Sequence, residues 1–336
     1  MSSTGRLVIR SILPPLAAAF STSSAREAQL EGRKQPVLSS AVLNEHQHPH
    51  HASERLIFIG TGSSTGCPRP LCPMVFQEKA SSHPRLLELQ KQIAPICQVS
   101  NLAIQGDPKH NKNYRNNPSL VIGFIDDHGA PRHIIIDTGK TFREAALRWF
   151  PERGVTSLDA VILTHEHADA AFGLDDVRGF QSTKGGFAGS GSFQQTPMPV
   201  YLSPHCLTEV AGRFPWLFPN HQPRQNVQGP SESPIPIDQP QKPKVKRHVA
   251  SLEVHVMEPF QAFEIHGLRI VPLPVIHGED LISYGYAFTV GRKNILYLSD
   301  ISRMLPETLD FIRTKLPPTD VLIIDSLHPD PGLPRS

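Results

Sequence analysis

One apolar run that breaks off into a cluster of metal-binding side chains constrains this chain more than any other feature. Ala160-Val161-Ile162-Leu163 reads as a buried strand, and Thr164-His165-Glu166-His167-Ala168-Asp169 follows directly. Two imidazoles and a carboxylate therefore leave one strand end together. Imidazole nitrogen and carboxylate oxygen suit a borderline divalent ion such as zinc, and a strand-to-loop junction can aim them at one point. The blander reading, histidines that follow a core strand by chance, loses ground because three other runs end in the same way. These are His133-Ile134-Ile135-Ile136-Asp137-Thr138-Gly139 upstream, Leu273-Pro274-Val275-Ile276-His277-Gly278 downstream, and Tyr297-Leu298-Ser299-Asp300 after it.

Further aliphatic and β-branched runs at 55–60, 119–125, 133–137, 159–164, 199–202, 268–275, 284–290, 294–299 and 320–325 read as strands. Thr141 to Phe150 reads as a helix that Pro151 stops, and Pro306 to Leu316 as a second, with its proline in the first turn. Leu207 to Phe214 reads as a third. Strands and helices alternate, so the class is α/β. With 33 prolines in 336 residues, roughly double ordinary usage, irregular insertions are expected. They fall at 67–117, where only Leu86 to Gln92 offers a helical turn or two, and at 181–196 and 219–250. No repeat of fixed period appears, which excludes solenoids and propellers.

Residues 1–26 carry Arg6, Arg10 and Arg26, many serines and no acid, and read as a mitochondrial presequence; an unaddressed basic tail is the bland alternative, with the cytoplasm then the compartment. A linker at 27–54 leads into one domain at 55–336. Without the leader, 30 basic residues face 31 acidic ones, a net of −1, so no global attraction to nucleic acid remains. The run Lys242, Lys244, Lys246, Arg247 and His248 is a local exception in a proline-rich setting. No apolar run approaches the roughly 18 residues of a membrane-spanning helix, so no membrane role is expected. Four scattered cysteines do not make a disulfide scaffold. Cys67 and Cys72 with Cys97 and His83 lack the paired spacing of a zinc knot and read as free thiols, and Cys206 reads as a packing residue.

Taken in order, the strand-ending Asp137-Thr138-Gly139, the cluster from His165 to Asp169, the later His277 and then Asp300 resemble the metallo-β-lactamase superfamily. The likeness is nearest to the branch holding the three-prime tRNA-processing endonuclease and a cyclic-phosphate diesterase. Ile59-Gly60-Thr61-Gly62-Ser63-Ser64, Gly173-Leu174-Asp175-Asp176 and Tyr284-Gly285-Tyr286 carry that finer likeness. It implies an αββα sandwich. It implies that His165, His167 and His277 bind one metal ion, that Asp169 and Asp300 face a second with Asp300 bridging, and that Asp137 orients the cluster from behind. Asp169 and Asp300 become the catalytic carboxylates, and an ion-activated water the attacking group. The turn at 60–66 lacks the Lys-Ser/Thr ending of a nucleotide loop and reads as structural.

The chain departs from the family pattern in two places. Ala170 stands where the cluster ends in histidine, and the family's C-terminal histidine has no counterpart unless His328 serves, so the last elements of the sandwich are not visible in the sequence. The expectation is one tight Zn2+, a weak second site, and Mn2+ as a substitute. Asp175 and Asp176 read equally as helix acids or as substrate-side groups, and Glu166 as pointing away. The leading function is hydrolysis of a phosphodiester, in a small molecule or in RNA, by a protein that forms no membrane contact and admits a homodimer. A thioester or lactone hydrolase of glyoxalase II type, and a noncatalytic metal-binding or scaffold protein, are the other readings.

Overall fold

Because its polar residues sit at strand ends, the chain can bury its apolar runs face to face and still gather the ends along one edge. The computed structural model describes residues 54–75, 83–184, 194–221 and 249–326. The presequence, His328 and the basic run at 242–248 lie outside the described residues. The first sheet holds β1 (Arg55–Gly60), β2 (Ser119–Ile125), β3 (Pro131–Ile136) and β4 (Ala160–Ile162). After a small hairpin of β5 (Thr183–Lys184) and β6 (Gln194–Gln195), β7 (Met198–Leu202) and β8 (Leu252–Val256) complete it. β1 to β3 pair antiparallel, and β3, β4, β7 and β8 run parallel.

The second sheet is built on β9 (Phe263–Ile265), β10 (Leu268–His277), β11 (Leu281–Val290), β12 (Lys293–Leu298), β13 (Arg303–Met304) and β14 (Val321–Ile324). Its order is β13-β10-β11-β12-β14, antiparallel except for the parallel β12–β14 pair, with β9 on β10. The helices are α1 (Leu71–Val75), α2 (Pro84–Ala103), α3 (Phe142–Arg153), α4 (Ala168–Ala171), α5 (Pro204–Arg213) and α6 (Pro306–Thr314). No described helix is long and apolar enough to cross a membrane.

Side chains alternate across each strand, and this sorts the core into three layers. Leu120, Ile122, Ile134, Ile136 and Ile162 face Tyr284, Tyr286, Phe288 and Tyr297 between the sheets. Val121, Ile135 and Val161 point the other way, under α3 and α5. Val271, Leu273 and Leu298 meet Phe311 and Ile312 of α6 on the far side. The result is an αββα sandwich.

Four readings of the sequence need correction. Helix α3 passes through Pro151 and ends at Arg153, with Gly154 in the left-handed region (φ 63°). A proline so near the end removes only one backbone bond, and the glycine makes the stop. The 67–117 segment is not irregular throughout: α2 spans 20 residues and packs on α1. Pro95 lies inside it and reads as a break, which hides its length from the sequence. Edge strand β8 was not expected, because Leu252-Glu253-Val254-His255-Val256 alternates instead of forming an apolar run. Helix α5 begins three residues earlier than expected, where the Ser203 hydroxyl accepts from the Cys206 N–H.

The sheets are joined at the edge that carries the histidines by polar bonds as well as packing. The buried Tyr286 hydroxyl donates to the Leu163 carbonyl at 2.6 Å, and the Tyr284 N–H to the Thr164 carbonyl at 3.0 Å. Tyr286→Phe removes the first of these inside a dry core and should cost about 1–3 kcal/mol in urea unfolding. An unchanged midpoint would show that the tie carries nothing.

Candidate metal centre

At the edge of the first sheet, β3 and β4 run parallel in the register Ile136↔Ile162, so Asp137 and Thr164 emerge as neighbours. The Thr164 N–H donates to Asp137 Oδ1 and its hydroxyl to Asp137 Oδ2, both at 2.8 Å. The same hydroxyl oxygen lies 2.8 Å from His165 Nδ1. With its proton committed to Asp137, that oxygen can only accept, so His165 carries its proton on Nδ1 and presents the Nε2 lone pair. His165 is wholly buried, and its Nε2 has no hydrogen-bond partner among the described residues. A buried acceptor without a partner is costly unless something else satisfies it.

His167 and His277 face that nitrogen. His167 caps α4, and His277 is the last residue of β10, so two sheets contribute. The three imidazoles lie 4.7, 5.0 and 5.2 Å apart between ring centres, and their donor nitrogens all fall within 4.8 Å of one another. Burial first, then His167 and His277, push the His165 pKa down to about 3. Burial and His167 also lower that of His277, partly opposed by Asp169. Neutral imidazole is the form that binds a metal.

Asp169 is buried on α4, and Asp300 follows β12 in the left-handed region (φ 50°). Among the described residues, the 4.8 Å group contains the three histidines and neither aspartate. The aspartates nonetheless act on each other: burial, then Asp169 and Asp325, push the Asp300 pKa up to about 7. Asp325, just past β14, was not singled out from the sequence; nothing but its place at a strand end marked it. Thr164 likewise had no assigned role, since a threonine before a histidine is an ordinary pair until the neighbouring strand is known.

Backbone contacts hold α4 in place. The Thr138 and Lys140 N–H groups donate to the Ala170 and Ala168 carbonyls at 2.7 and 2.9 Å, and the Gly173 N–H to Thr138 at 2.7 Å. A Cβ at position 139 would overlap the Asp169 carbonyl, so only glycine permits this crossing. Ala170 is buried beneath these bonds. Asp137 is buried with φ 63°; burial pushes its carboxyl pKa up, against the two Thr164 bonds.

Glu166 turns to α5, where Oε1 lies 3.3 Å from His205 Nε2. Cys206 beside it is buried, and burial raises its thiol pKa, which suits packing and not nucleophilic attack. Asp175 accepts from the Ala250 N–H at 3.0 Å and pairs with Arg178 at 3.6 Å, so it braces the fold. The Gly60–Gly66 turn is held by the Gly62 N–H on the Asn116 carbonyl and by the Asn117 amide on the Ser63 and Ser64 carbonyls. Cys67 and Cys72 are free thiols.

A family model described as a beta-lactamase superfamily domain matches residues 132–332. An octanoyltransferase of Porphyromonas gingivalis (strain ATCC BAA-308 / W83) is 26% identical over 260 residues, 77% of this chain and 37% of that protein; the chain thus spans little more than a third of that relative. Among solved structures, a diphosphatase of the PhnP family is 23% identical with a TM-score of 0.47, covering 80% of this chain and 71% of its own. The short form of human tRNase Z is 13% identical with a TM-score of 0.40, covering 80% and 76%.

Thr164→Val keeps the shape and removes the hydroxyl that sets the His165 tautomer. Zinc affinity, measured by chelator competition, should fall about 10–100-fold, and the metal-free protein should lose at least about 1–3 kcal/mol in urea unfolding, because the Asp137 oxygen and His165 Nδ1 are left without a partner. Wild-type affinity in the variant would contradict the bridging role.

Proposed function

The chain belongs to the beta-lactamase superfamily and has its hydrolase fold, and from that footing we propose that it is a zinc-dependent phosphodiesterase. The observation that carries the metal half of this reading is the buried, unpartnered Nε2 of His165, fixed by Thr164 and faced by two further imidazoles. Three imidazole nitrogens from separate elements are a donor set suited to zinc. His165, His167 and His277 would hold the ion. Asp169 and Asp300 alone would face a second, because the Ala170 methyl donates nothing, so one tight zinc per chain is the proposed content, with Mn2+ able to replace it.

A divalent ion held there supplies Lewis acidity, lowering the pKa of water toward neutrality and stabilising charge on substrate oxygens. The chain's own residues do the rest. Asp169 and Asp300 present carboxylate oxygens that accept from the attacking water and orient it. Asp137 and Thr164 keep the His165 proton on Nδ1. The dry core behind His165, closed by Tyr286, excludes solvent from one side.

The phosphodiester half rests on the motifs around Gly60, Gly173 and Tyr284, and both a small phosphodiester and RNA stay within it. The octanoyltransferase relative favours a second reading, hydrolysis of a thioester or lactone. Residues 1–26 favour the mitochondrial matrix as the site of action.

Zinc-loaded protein should turn over bis(p-nitrophenyl) phosphate and leave thioesters intact, and His277→Ala should lose more than about 100-fold, beyond what a supporting residue costs. Metal analysis should return one firmly bound zinc. Turnover of thioesters alone would move the assignment to the second reading. Bound zinc with no turnover of either class would leave a metal-binding protein without this catalysis.

A further inference from the structure

Three adjacent strands of the first sheet, β3, β4 and β7, run parallel and so end on one edge, and the carboxyl ends of parallel strands are where open sheets meet their ligands. Asp137 follows β3, and β4 leads into the histidine cluster. β7 ends at Leu202, and Ser203-Pro204-His205 comes next. Since β4 and β7 hold the register Ile162↔Tyr201, counting on from that pair puts His205 level with Glu166. The two side chains do meet: His205 Nε2 lies 3.3 Å from Glu166 Oε1.

Their surroundings differ. Glu166, between His165 and His167 in the chain, has a side chain only 6% exposed, and its Oε2 has no partner among the described residues. The His205 side chain is 59% exposed. A carboxylate shut away from water holds a donor firmly, so the ring is fixed through Nε2 while Nδ1, across the ring from that contact, is left to give. Lys140 stands on the same edge, but it is exposed on a long flexible stem that does not fix its ammonium.

A phosphodiester brings two non-bridging oxygens that can only accept. Asp137, Asp169 and Asp300 are carboxylates, and the three clustered imidazoles turn to the ion, which meets one of those oxygens. The other calls for a donor. From this juxtaposition we infer that His205 is a substrate-contacting residue, donating from Nδ1–H to the second non-bridging oxygen, with Glu166 as the residue that positions its ring. This rests on the phosphodiesterase reading and adds to it the group that orients the diester.

Calorimetry on the zinc-loaded full chain tests this, with dimethyl phosphate, a diester of very poor leaving groups, as the probe. His205→Ala should weaken its binding at least about tenfold and raise KM for bis(p-nitrophenyl) phosphate by a similar factor, with kcat within about twofold and zinc content unchanged. His205→Gln, which restores an N–H donor, should recover part of the loss. Glu166→Gln should cost less than His205→Ala and add nothing to it, and Lys140→Ala should change binding less than about twofold. Unchanged dimethyl phosphate affinity in His205→Ala, with the wild type turning over diesters, would overturn the inference and leave the phosphodiesterase reading standing. Neither binding nor turnover of diesters by the wild type would overturn that reading and this inference with it.

Discussion

One hydroxyl, that of Thr164, joins the fold to its chemistry. It donates a hydrogen bond to Asp137 and accepts one from His165 Nδ1–H, and the imidazole is left with a single lone pair aimed out of the core. The arrangement requires β3 and β4 to end at the same level, which their parallel register secures. It requires the neighbouring Leu163 and Thr164 carbonyls to be satisfied from elsewhere, and β11 supplies Tyr286 and the Tyr284 N–H for that purpose. Sheet packing therefore sets a tautomer.

The other two imidazoles are placed by means of their own. His167 depends on the crossing of α4 over Asp137-Thr138-Gly139, where three backbone bonds and the missing Cβ of Gly139 bring two loops into contact. His277 depends on the length of β10, whose last residue pairs with Leu281 at the top of the hairpin. A metal centre drawn from both sheets can form only once the sandwich has closed, which couples ligation to folding.

Much of this was visible in the residue order. Strands that end in Asp137, His165, His277 and Asp300 are conspicuous because burial demands apolar runs and chemistry interrupts them, and aliphatic and β-branched runs assigned most strands of both sheets. Other features were hidden for physical reasons. Helix α2 carries Pro95 in its interior, which reads as a break. Pro151 looks like a stop, but a proline in the last turn costs a helix little. The roles of Thr164 and Tyr286 exist only across strand partners, which no local pattern encodes. Glu166 sits between two of the clustered histidines in the chain yet turns to His205 on another element, since successive residues at a strand end point in different directions.

The account stands on three histidine nitrogens sharing one ion. Zinc-edge X-ray absorption on the purified, zinc-loaded chain tests it directly. The prediction is a first shell of nitrogen and oxygen at about 2.0–2.2 Å, with the outer-shell scattering of three imidazole rings. A shell at about 2.3 Å from cysteine sulfur, or a spectrum with fewer than three imidazoles, would contradict it.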